Sequence, residues 1–470
     1  MAAELYEKLR EHSKSDVYPF HMPGHKMGRG MDFDNIWGMD ITEIDGFDNL
    51  HHAEGIILDA QKKCAETFGA EKTYFLVNGS SCGLMAAVFA CCREKDKIIV
   101  ARNCHKSVFS GLIISGAEPV YVMPENIDGF GIAGGILPET IEKAIEENSD
   151  AKAIMIVSPT FEGAVSDVRK IAEIAHKNNM VLIVDEAHGA HFKFNDSFPE
   201  TALEMGADIV IQSIHKTLPA PTQVSLIHTQ GNRFDSVRLE TCLAMVQSSS
   251  PSYIFMAAAD LCREYLDTKG KEDFEKYVQN IEYLRNSIKD LKNFRILDSD
   301  IKGKYGIKDI DRGKIVLSSE NINCIDAADV LAKKYGIILE MSCPGHFAAM
   351  TSVSDTTDGY ERLIKALKDI DNMDFEKCIN RKDMFLIPKP KVIVSPREAF
   401  NRQKTSVDFK NSVGKIAAEF AIPYPPGIPV CTPGEEITKD VINILEKYKS
   451  FGGEIIGMKH NDLEKIQILM

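Results

Sequence analysis

A lysine that directly follows a predicted strand is the residue best placed to do chemistry in this sequence. Lys216 follows the strand-like residues 208–211, with Ser213 and His215 beside it. Ligands of open α/β sheets bind at the carboxyl ends of the strands. A lysine amine there can form an imine with an aldehyde cofactor, and its neighbours can hydrogen-bond a phosphate or the imine. For Lys216 alone, a surface lysine after an ordinary strand is the alternative.

A carboxylate ends another apolar run. Asp185 follows residues 181–184, which are typical of a buried strand. Burying a carboxylate is costly unless a cation pairs with it. A protonated pyridine nitrogen is such a cation, and the pair would keep the ring electron-withdrawing. The alternative is a carboxylate that caps the helix or loop that follows.

Two further segments lie between a predicted strand and a predicted helix. Gly79, Ser80 and Ser81 let the backbone approach a phosphate, and the N-terminus of the following helix supplies free N–H groups. His105 follows the strand-like residues 98–101 and can stack on a cofactor ring. Each segment alone is common. In one βαβ domain, a phosphate cup, a stacking ring, a carboxylate and an imine lysine together predict a pyridoxal phosphate site.

The elements that must position these residues alternate along the chain. Between about residues 56 and 229, apolar strand-like runs are interleaved with amphipathic helical patterns, which predicts βαβ units and a mostly parallel sheet. A long helical pattern at 261–292 leads into a smaller α/β domain. The proline-rich residues 422–429 predict an ordered loop or linker, since proline lacks an N–H group. The predicted division is an arm (1–45), a large domain (46–295) and a small C-terminal domain (296–470).

Composition excludes several classes of function. The 470 residues carry a formal net charge of −14, which argues against a nucleic-acid or anionic-membrane partner. No apolar run approaches the ~18 residues of a membrane span, and the N-terminus has no signal-like core. The eleven cysteines lack zinc-type spacing, so we expect reduced thiols and a cytoplasmic protein.

Residues 185–188 spell Asp-Glu-Ala-His, which is also a helicase motif. A nucleotide motor would need a phosphate loop of the Gly-x4-Gly-Lys-Ser/Thr type upstream, and the sequence has none. His188 and His191 have a spacing that could suggest a metal pair, but no third ligand is adjacent. We therefore predict no metal.

Several short motifs are spread along the chain, at residues 21–26, 75–80, 102–107, 158–163, 185–191, 213–217, 423–429 and 433–435. Through these motifs the chain resembles the Orn/Lys/Arg decarboxylases, a family of fold-type I pyridoxal phosphate enzymes, across nearly its whole length. It is similar to the short form that lacks an N-terminal receiver-like wing. At Cys82-Gly83 the sequence departs from the threonine or small polar pair followed by asparagine that is expected there.

The resemblance implies a role for each site residue. Lys216 is the imine lysine, Asp185 is the partner of the ring nitrogen, and His105 is the stacking ring. It also implies a homodimer, or a higher homo-oligomer, with active sites at the dimer interface, for which residues 247–251 are the candidate contribution from the neighbour. The residues assigned to the phosphate and the rest of the cofactor are Gly79, Ser80, Ser81, Ser213, His215 and His188.

The implied reaction is decarboxylation of arginine, lysine or ornithine to its polyamine-type amine and carbon dioxide, with Lys216 or His215 returning a proton to Cα. Another reaction on the same fold, such as that of an aminotransferase or lyase, stays open, with Arg397 as the isolated candidate for binding an α-carboxylate. A non-enzymatic cofactor-binding regulator is a further alternative. The candidates for recognising the basic side chain are Glu340, Glu162, Asp355 and Asp358.

Overall fold

A seven-stranded sheet forms the centre of the larger part of the molecule. The computed structural model describes residues 8, 12–29, 36–375, 387–424, 427–450 and 452–470. Most strand residues of this sheet are buried, as expected where helices cover both faces. In chain order the strands are β1 (Lys72–Leu76), β2 (Lys97–Ala101), β3 (Glu118–Val122), β4 (Ala153–Val157), β5 (Val181–Asp185), β6 (Ile209–Gln212) and β7 (Ser225–Thr229).

The direction of the strands creates one edge suited to ligand binding. Their order is β1-β7-β6-β5-β4-β2-β3. β7 is antiparallel to β1 and β6, and the other neighbours are parallel. All the strands except β7 therefore run the same way, and their carboxyl ends share one edge. The predicted, mostly parallel sheet is confirmed; the reversal of β7 leaves no trace in sequence, since a buried strand is apolar in either direction.

Helices alternate with these strands and pack on the sheet or on each other. The helix after β1 begins at Gly79, whereas the helical pattern in the sequence covers only residues 83–92. Glycine and serine are poor helix formers, so the first turn is not visible in the sequence. The helices are α1 (Ile56–Phe68), α2 (Gly79–Cys91), α3 (Lys106–Ser115), α4 (Pro138–Glu147), α5 (Val168–Lys177) and α6 (Ser236–Val246).

A long helical segment leads from the large sheet to a small one. α7 (Tyr253–Tyr265) continues through a π-helical turn, Leu266–Gly270, into α8 (Lys271–Ile288). The small sheet is antiparallel, in the order β8-β9-β11-β10. Its elements are β8 (Arg295–Ile296), β9 (Lys314–Ser318), α9 (Cys324–Tyr335), β10 (Met341–Ser342), β11 (His346–Met350) and α10 (Thr357–Asp371).

The N-terminal arm lies against this smaller part and reaches the edge of the large sheet. Tyr18–Phe20 pairs in parallel with Ile337–Leu339. A Cβ at Gly359 would lie 1.9 Å from the ring of Tyr18, so only glycine allows this close packing. Further along the arm, the backbone N–H of Gly24 donates to the carbonyl oxygen of His215 at 2.8 Å. The arm thus contacts the segment that carries Lys216.

The last part of the chain has a hydrophobic cluster of its own. It contains β12 (Lys404–Asp408), α11 (Lys439–Ser450) and β13 (Lys465–Leu469), with β12 antiparallel to β13. The predicted loop at 422–429 is wrong at its start, because Ile422–Tyr424 pairs with Glu454–Ile456 in a two-stranded sheet. Such an edge tolerates proline, whose missing N–H is not needed there.

Two further expectations from the sequence concern membrane-spanning helices and the state of the cysteines. Within the described ranges, no helix combines the length and apolar character needed to cross a membrane. Among the described cysteines, the free thiols include Cys64, Cys82, Cys91, Cys92, Cys104, Cys242, Cys262 and Cys431.

A buried ion pair ties the C-terminal part to the large sheet. Arg102 follows β2 and is completely buried. Its guanidinium donates to the carbonyl oxygen of Pro429 at 2.5 Å and to Oε2 of Glu435 at 3.1 Å. The same Glu435 oxygen accepts the backbone N–H of Thr432 at 2.9 Å. Glu435 is therefore part of this contact. The final helix begins at Lys439, whereas the helical pattern in the sequence covers residues 435–450.

We expect Arg102→Met to lower the free energy of unfolding by ~3–5 kcal/mol, because the Glu435 carboxylate would stay buried without its cation. Urea denaturation measures the change. Arg169→Met is the matched control, because Arg169 pairs with Glu200 on the surface and such pairs contribute about 0–1 kcal/mol. Equal losses in the two variants would show that the buried pair does not hold the C-terminal part in place.

Candidate active site

A cavity of about 390 Å³ opens at the carboxyl edge of the large sheet. The strands and the turns that follow them supply most of its wall, and Gly427 and Ile428 close it from the C-terminal part. The structure brings together in this one cavity all the residues predicted to bind the cofactor or to act in catalysis. The predicted residues that line it are Gly79, Ser80, Ser81, His105, Asp185, His188, Ser213, His215 and Lys216.

One end of the cavity is the N-terminus of α2. Asn78 precedes the helix without a side-chain cap, so backbone N–H groups of the first turn lack that partner. Gly79 has a φ of +71°, which favours glycine. The hydroxyl groups of Ser80 and Ser213 lie 2.7 Å apart and join α2 to the turn after β6. Free N–H groups, two hydroxyls and the positive end of a helix suit a phosphate.

The departure from the family pattern at Cys82-Gly83 has a packing reason. A Cβ at Gly83 would lie 2.6 Å from Cδ1 of Leu76, so glycine lets α2 approach the sheet closely. Cys82 is buried, and its thiol donates to the carbonyl oxygen of Gly79 at 3.0 Å. The departure at Cys82 and Gly83 therefore does not change the phosphate cup, which is formed by Gly79, Ser80 and Ser81.

Asp185 ends β5 and is 3% exposed. Its Oδ1 accepts the backbone N–H of Ala187 at 3.1 Å. Burial raises the pKa of this carboxyl group, and the charge of Lys216 offsets part of the rise. A protonated ring nitrogen placed in the cavity would supply the cation that this carboxylate needs.

Lys216 lies in the short helical turn Ile214–Thr217 that follows β6. Burial lowers the pKa of its amine, while Asp185 and Glu340 partly oppose the shift. The Nζ atom is 2.9 Å from Nε2 of His188. A lysine whose pKa is lowered by burial is more often a free amine, which is the form that attacks a carbonyl carbon.

His105 is the N-cap of α3 and lines the cavity. Its Nδ1 is 2.7 Å from the hydroxyl group of Ser107. Desolvation, followed by the charge of Lys216, lowers the pKa of this imidazole to about 4. The ring is therefore neutral at pH 7 and can lie against a cofactor ring without adding positive charge.

His215 has a fixed tautomer. Its Nδ1 is 2.7 Å from the carbonyl oxygen of Val224, which can only accept, so Nδ1 carries the hydrogen. Burial lowers the pKa of the ring to about 4. In this neutral form Nε2 is a lone-pair acceptor.

Sequence reasoning missed Lys314, which begins β9 of the small sheet. Its Nζ lies 3.1 Å from Nδ1 of His188, so His188 lies between two lysine amines. Burial lowers the pKa of Lys314 to about 8. The ring of Phe161 packs edge-on against His188, with centroids 5.2 Å apart. A single lysine before an apolar strand carries no motif, so only the tertiary structure reveals this contact.

The four candidate carboxylates fall in different places. Glu162 lines the cavity and is 3% exposed. Asp355 is buried 3.9 Å from the amine of Lys26, and Asp358 is exposed in the first turn of α10. Glu340 accepts the backbone N–H of Met22 at 2.8 Å and does not line the cavity. Glu162 is thus the candidate that faces the space where a substrate would lie.

Two other sequence candidates have partners away from the cavity wall. Arg397 donates to the carbonyl oxygens of Ile113 and Ile114 at the C-terminal end of α3. His191 lies 3.2 Å from Oδ1 of Asp311, and both are buried. Across the described ranges no group of three or more His, Cys, Asp or Glu side chains could hold a metal ion.

These features together suit pyridoxal phosphate. The uncapped start of α2 fits the phosphate, the buried Asp185 carboxylate fits a protonated ring nitrogen, and the Lys216 amine fits the aldehyde. All three line the same cavity, so a single small molecule can reach them together.

Comparison with solved structures supports the fold. A lysine decarboxylase of Francisella novicida, LdcF, has a TM-score of 0.79 at 21% identity, covering 99% of this chain and 81% of that one. The ureidoglycine-glyoxylate aminotransferase of Bacillus subtilis has a TM-score of 0.57 at 14% identity, covering 76% and 93%. The predicted fold-type I architecture is confirmed.

Comparison at the level of sequence identifies the family. A model described as the Orn/Lys/Arg decarboxylase major domain matches residues 3–309, and the C-terminal domain of the same family matches residues 379–463. The arginine decarboxylase of Bacillus anthracis is 34% identical, over 99% of this chain and 97% of that protein. The chain belongs to the Orn/Lys/Arg decarboxylase family.

Proposed function

We propose that this protein is a pyridoxal phosphate-dependent decarboxylase of a basic amino acid, with arginine as the first candidate. The observation that carries the proposal is the convergence of Lys216, Asp185 and the start of α2 on a cavity whose wall also contains the buried carboxylate of Glu162. Arginine comes first because a relative 34% identical over nearly the whole chain is named arginine decarboxylase.

The chain's own groups would hold the cofactor at four points. Backbone N–H groups of Gly79, Ser80 and Ser81, with the hydroxyls of Ser80 and Ser213, bind the phosphate. Asp185 keeps a proton on the ring nitrogen, because its buried carboxylate is stabilised by that charge. His105 lies against the ring, and Lys216 supplies the amine for covalent attachment.

When bound, pyridoxal phosphate supplies a conjugated ring that withdraws the electron pair left on Cα as carbon dioxide departs. The protein selects this bond through the environment of the substrate carboxylate. Apolar side chains exclude water there, which favours loss of the charged group. Those that line the cavity include Leu84, Ala133, Val157, Phe161, Ala187 and Ile428.

The tautomer of His215 bears on which group returns a proton to Cα. Nδ1 of His215 donates to Val224, and the low pKa leaves Nε2 without a hydrogen at pH 7. His215 then accepts a hydrogen bond, whereas Lys216 has a proton to give whenever its amine is in the ammonium form. We assign the proton donation to Lys216 and an accepting role to His215.

Glu162 is suited to recognise the cation at the end of a basic side chain. Burial raises the pKa of its carboxyl group to about 7, and the nearby charge of Lys314 offsets only part of the cost. The carboxylate is thus destabilised until another cation reaches it. A guanidinium or ammonium group in the cavity would supply that charge and form a charge-assisted hydrogen bond.

The homodimer predicted from sequence remains part of this proposal. Ser248, Ser249 and Ser250 are exposed, as a segment offered to a neighbouring subunit must be. Gln247 is buried, and its Oε1 accepts the backbone N–H of Val77 at 2.8 Å, next to the phosphate cup.

The test is an assay of the purified protein loaded with pyridoxal phosphate, with arginine, lysine and ornithine supplied separately. We expect carbon dioxide together with agmatine, cadaverine or putrescine, and agmatine as the dominant product. No carbon dioxide from any of the three, with the cofactor covalently attached, would move the reaction to another fold-type I class.

We expect Lys216→Ala to abolish both the absorbance of the attached cofactor and the release of carbon dioxide, because Lys216 is the one lysine among the described residues that line the cavity. Absorption spectra and the product assay measure the two effects. Lys143→Ala is the control, since Lys143 is exposed on α4. Turnover of Lys216→Ala at the wild-type rate would refute the assignment.

We expect Glu162→Gln to raise the KM for the basic amino acid about 10- to 100-fold and to leave kcat nearly unchanged. The amide keeps the shape but loses a charged hydrogen bond of about 1.5–3 kcal/mol that is present in both ground and transition states. Steady-state kinetics separate the two constants. Asp358→Asn, on the exposed face of α10, is the matched control, and an unchanged KM in Glu162→Gln would exclude this residue.

The carboxyl group of Glu162 also predicts how kcat/KM depends on pH. Below its pKa of about 7, Glu162 is protonated and neutral, so it loses its attraction for the cation. kcat/KM, which reports the free enzyme, should fall as the pH is lowered through about 7. In Glu162→Gln this acidic limb should be absent. A limb that persists unchanged in the variant would assign the titration to another group.

A further inference from the structure

His188 connects the proposed cofactor lysine to a second buried lysine from a distant part of the chain. Its Nε2 is 2.9 Å from the amine of Lys216, and its Nδ1 is 3.1 Å from the amine of Lys314. His188 follows β5 of the large sheet, whereas Lys314 begins β9 of the small sheet. His188 is 8% exposed and Lys314 is 3% exposed.

The hydrogen-bonding capacity of one imidazole limits the charge of these two amines. Burial and the two lysines hold the pKa of His188 well below its usual value, so the ring is neutral. A neutral imidazole has one N–H group and one lone pair. One lysine can therefore donate to it as an ammonium, but the other must accept and must be a free amine. With both hydrogen bonds formed, the three groups carry at most one positive charge.

The surrounding charges indicate which lysine keeps the proton. Asp311 and Glu340 favour the ammonium form of Lys314, whereas burial and the charges of Lys216 and Lys26 oppose it. Lys314 also lies close enough to Glu162 to act on its pKa. Lys216 faces Asp185 and Glu340, along with the imidazoles of His105 and His188. Once a protonated ring nitrogen binds Asp185, that carboxylate no longer favours an ammonium at Lys216.

We propose that Lys314 is a positioning residue that acts through His188: it donates to Nδ1, holds the hydrogen on Nε2, and thereby keeps Lys216 a free amine. This proposal rests on the proposed attachment of pyridoxal phosphate to Lys216. The proposal gives Lys314, a residue of the small sheet, a role at the site formed by the large sheet.

The consequence is a faster covalent attachment near neutral pH. The lone pair of the Lys216 nitrogen forms a bond to the aldehyde carbon, and the aldehyde oxygen leaves as water with the two protons of the amine. An ammonium has no lone pair for this step. The rate of attachment therefore follows the fraction of Lys216 that is a free amine.

The test measures the attachment of pyridoxal phosphate to cofactor-free protein as a function of pH, by absorbance. Borohydride reduction and peptide mapping identify the lysine modified. In Lys314→Met, His188 is free to reverse its tautomer and accept from a Lys216 ammonium. We expect the profile to move to higher pH by about one unit, so that attachment is about tenfold slower on its acidic limb.

Further variants test whether the effect of Lys314 on Lys216 depends on the imidazole of His188. His188→Phe should shift the profile in the same direction, and Lys314→Met should add less in that background than it does alone. Lys314→Arg keeps a charged donor and should restore much of the wild-type profile. Lys308→Met is the matched control, because Lys308 is exposed and pairs with Asp167 across 3.5 Å.

Several outcomes would overturn the inference. A wild-type profile in Lys314→Met would leave Lys314 with a structural role only, and an equal shift with and without His188 would show direct charge repulsion instead. If Lys314→Met does not fold, an unchanged pH profile of attachment in His188→Phe would refute the inference. Failure of the wild-type protein to attach the cofactor at Lys216 would instead refute the proposed function.

Discussion

Burial of charge at the junction of the two sheets is the constraint on which the structure depends. Asp185, Glu162, Lys216 and Lys314 are all ionisable, and burial shifts the pKa of each towards its neutral form. Such groups are costly to bury unless each finds a partner of opposite charge or a hydrogen bond. The cavity leaves that need partly unmet until a cofactor and a substrate arrive, so its electrostatics favour binding.

The same junction explains why distant parts of the chain must all be in place. β5 and β6 carry Asp185 and the turn with Lys216, and β9 carries Lys314. The C-terminal part supplies Gly427 and Ile428, which close the cavity. The hydrogen bond from Arg102 to Pro429 fixes the backbone just after these two residues. No single sheet contains the site.

The sequence was informative where chemistry follows directly on a strand. Lys216, Asp185, His105 and the turn around Gly79 could be found because strand ends in a parallel sheet meet at one edge. Lys314 could not, since its role arises from a contact between two sheets. The choice of Glu162 over Asp355 likewise needed the structure, because the sequence does not show that Asp355 is already next to Lys26.

The wall of the cavity runs from Asn78, early in the chain, to Ile428, near its end. A chain emerging from a ribosome completes the sheet that carries Lys216 long before it can close the cavity over it. Contacts between residues so far apart in sequence form slowly, and surface they will cover stays open meanwhile. Stable capture of the cofactor thus belongs to the last stage of folding, after the C-terminal part has docked.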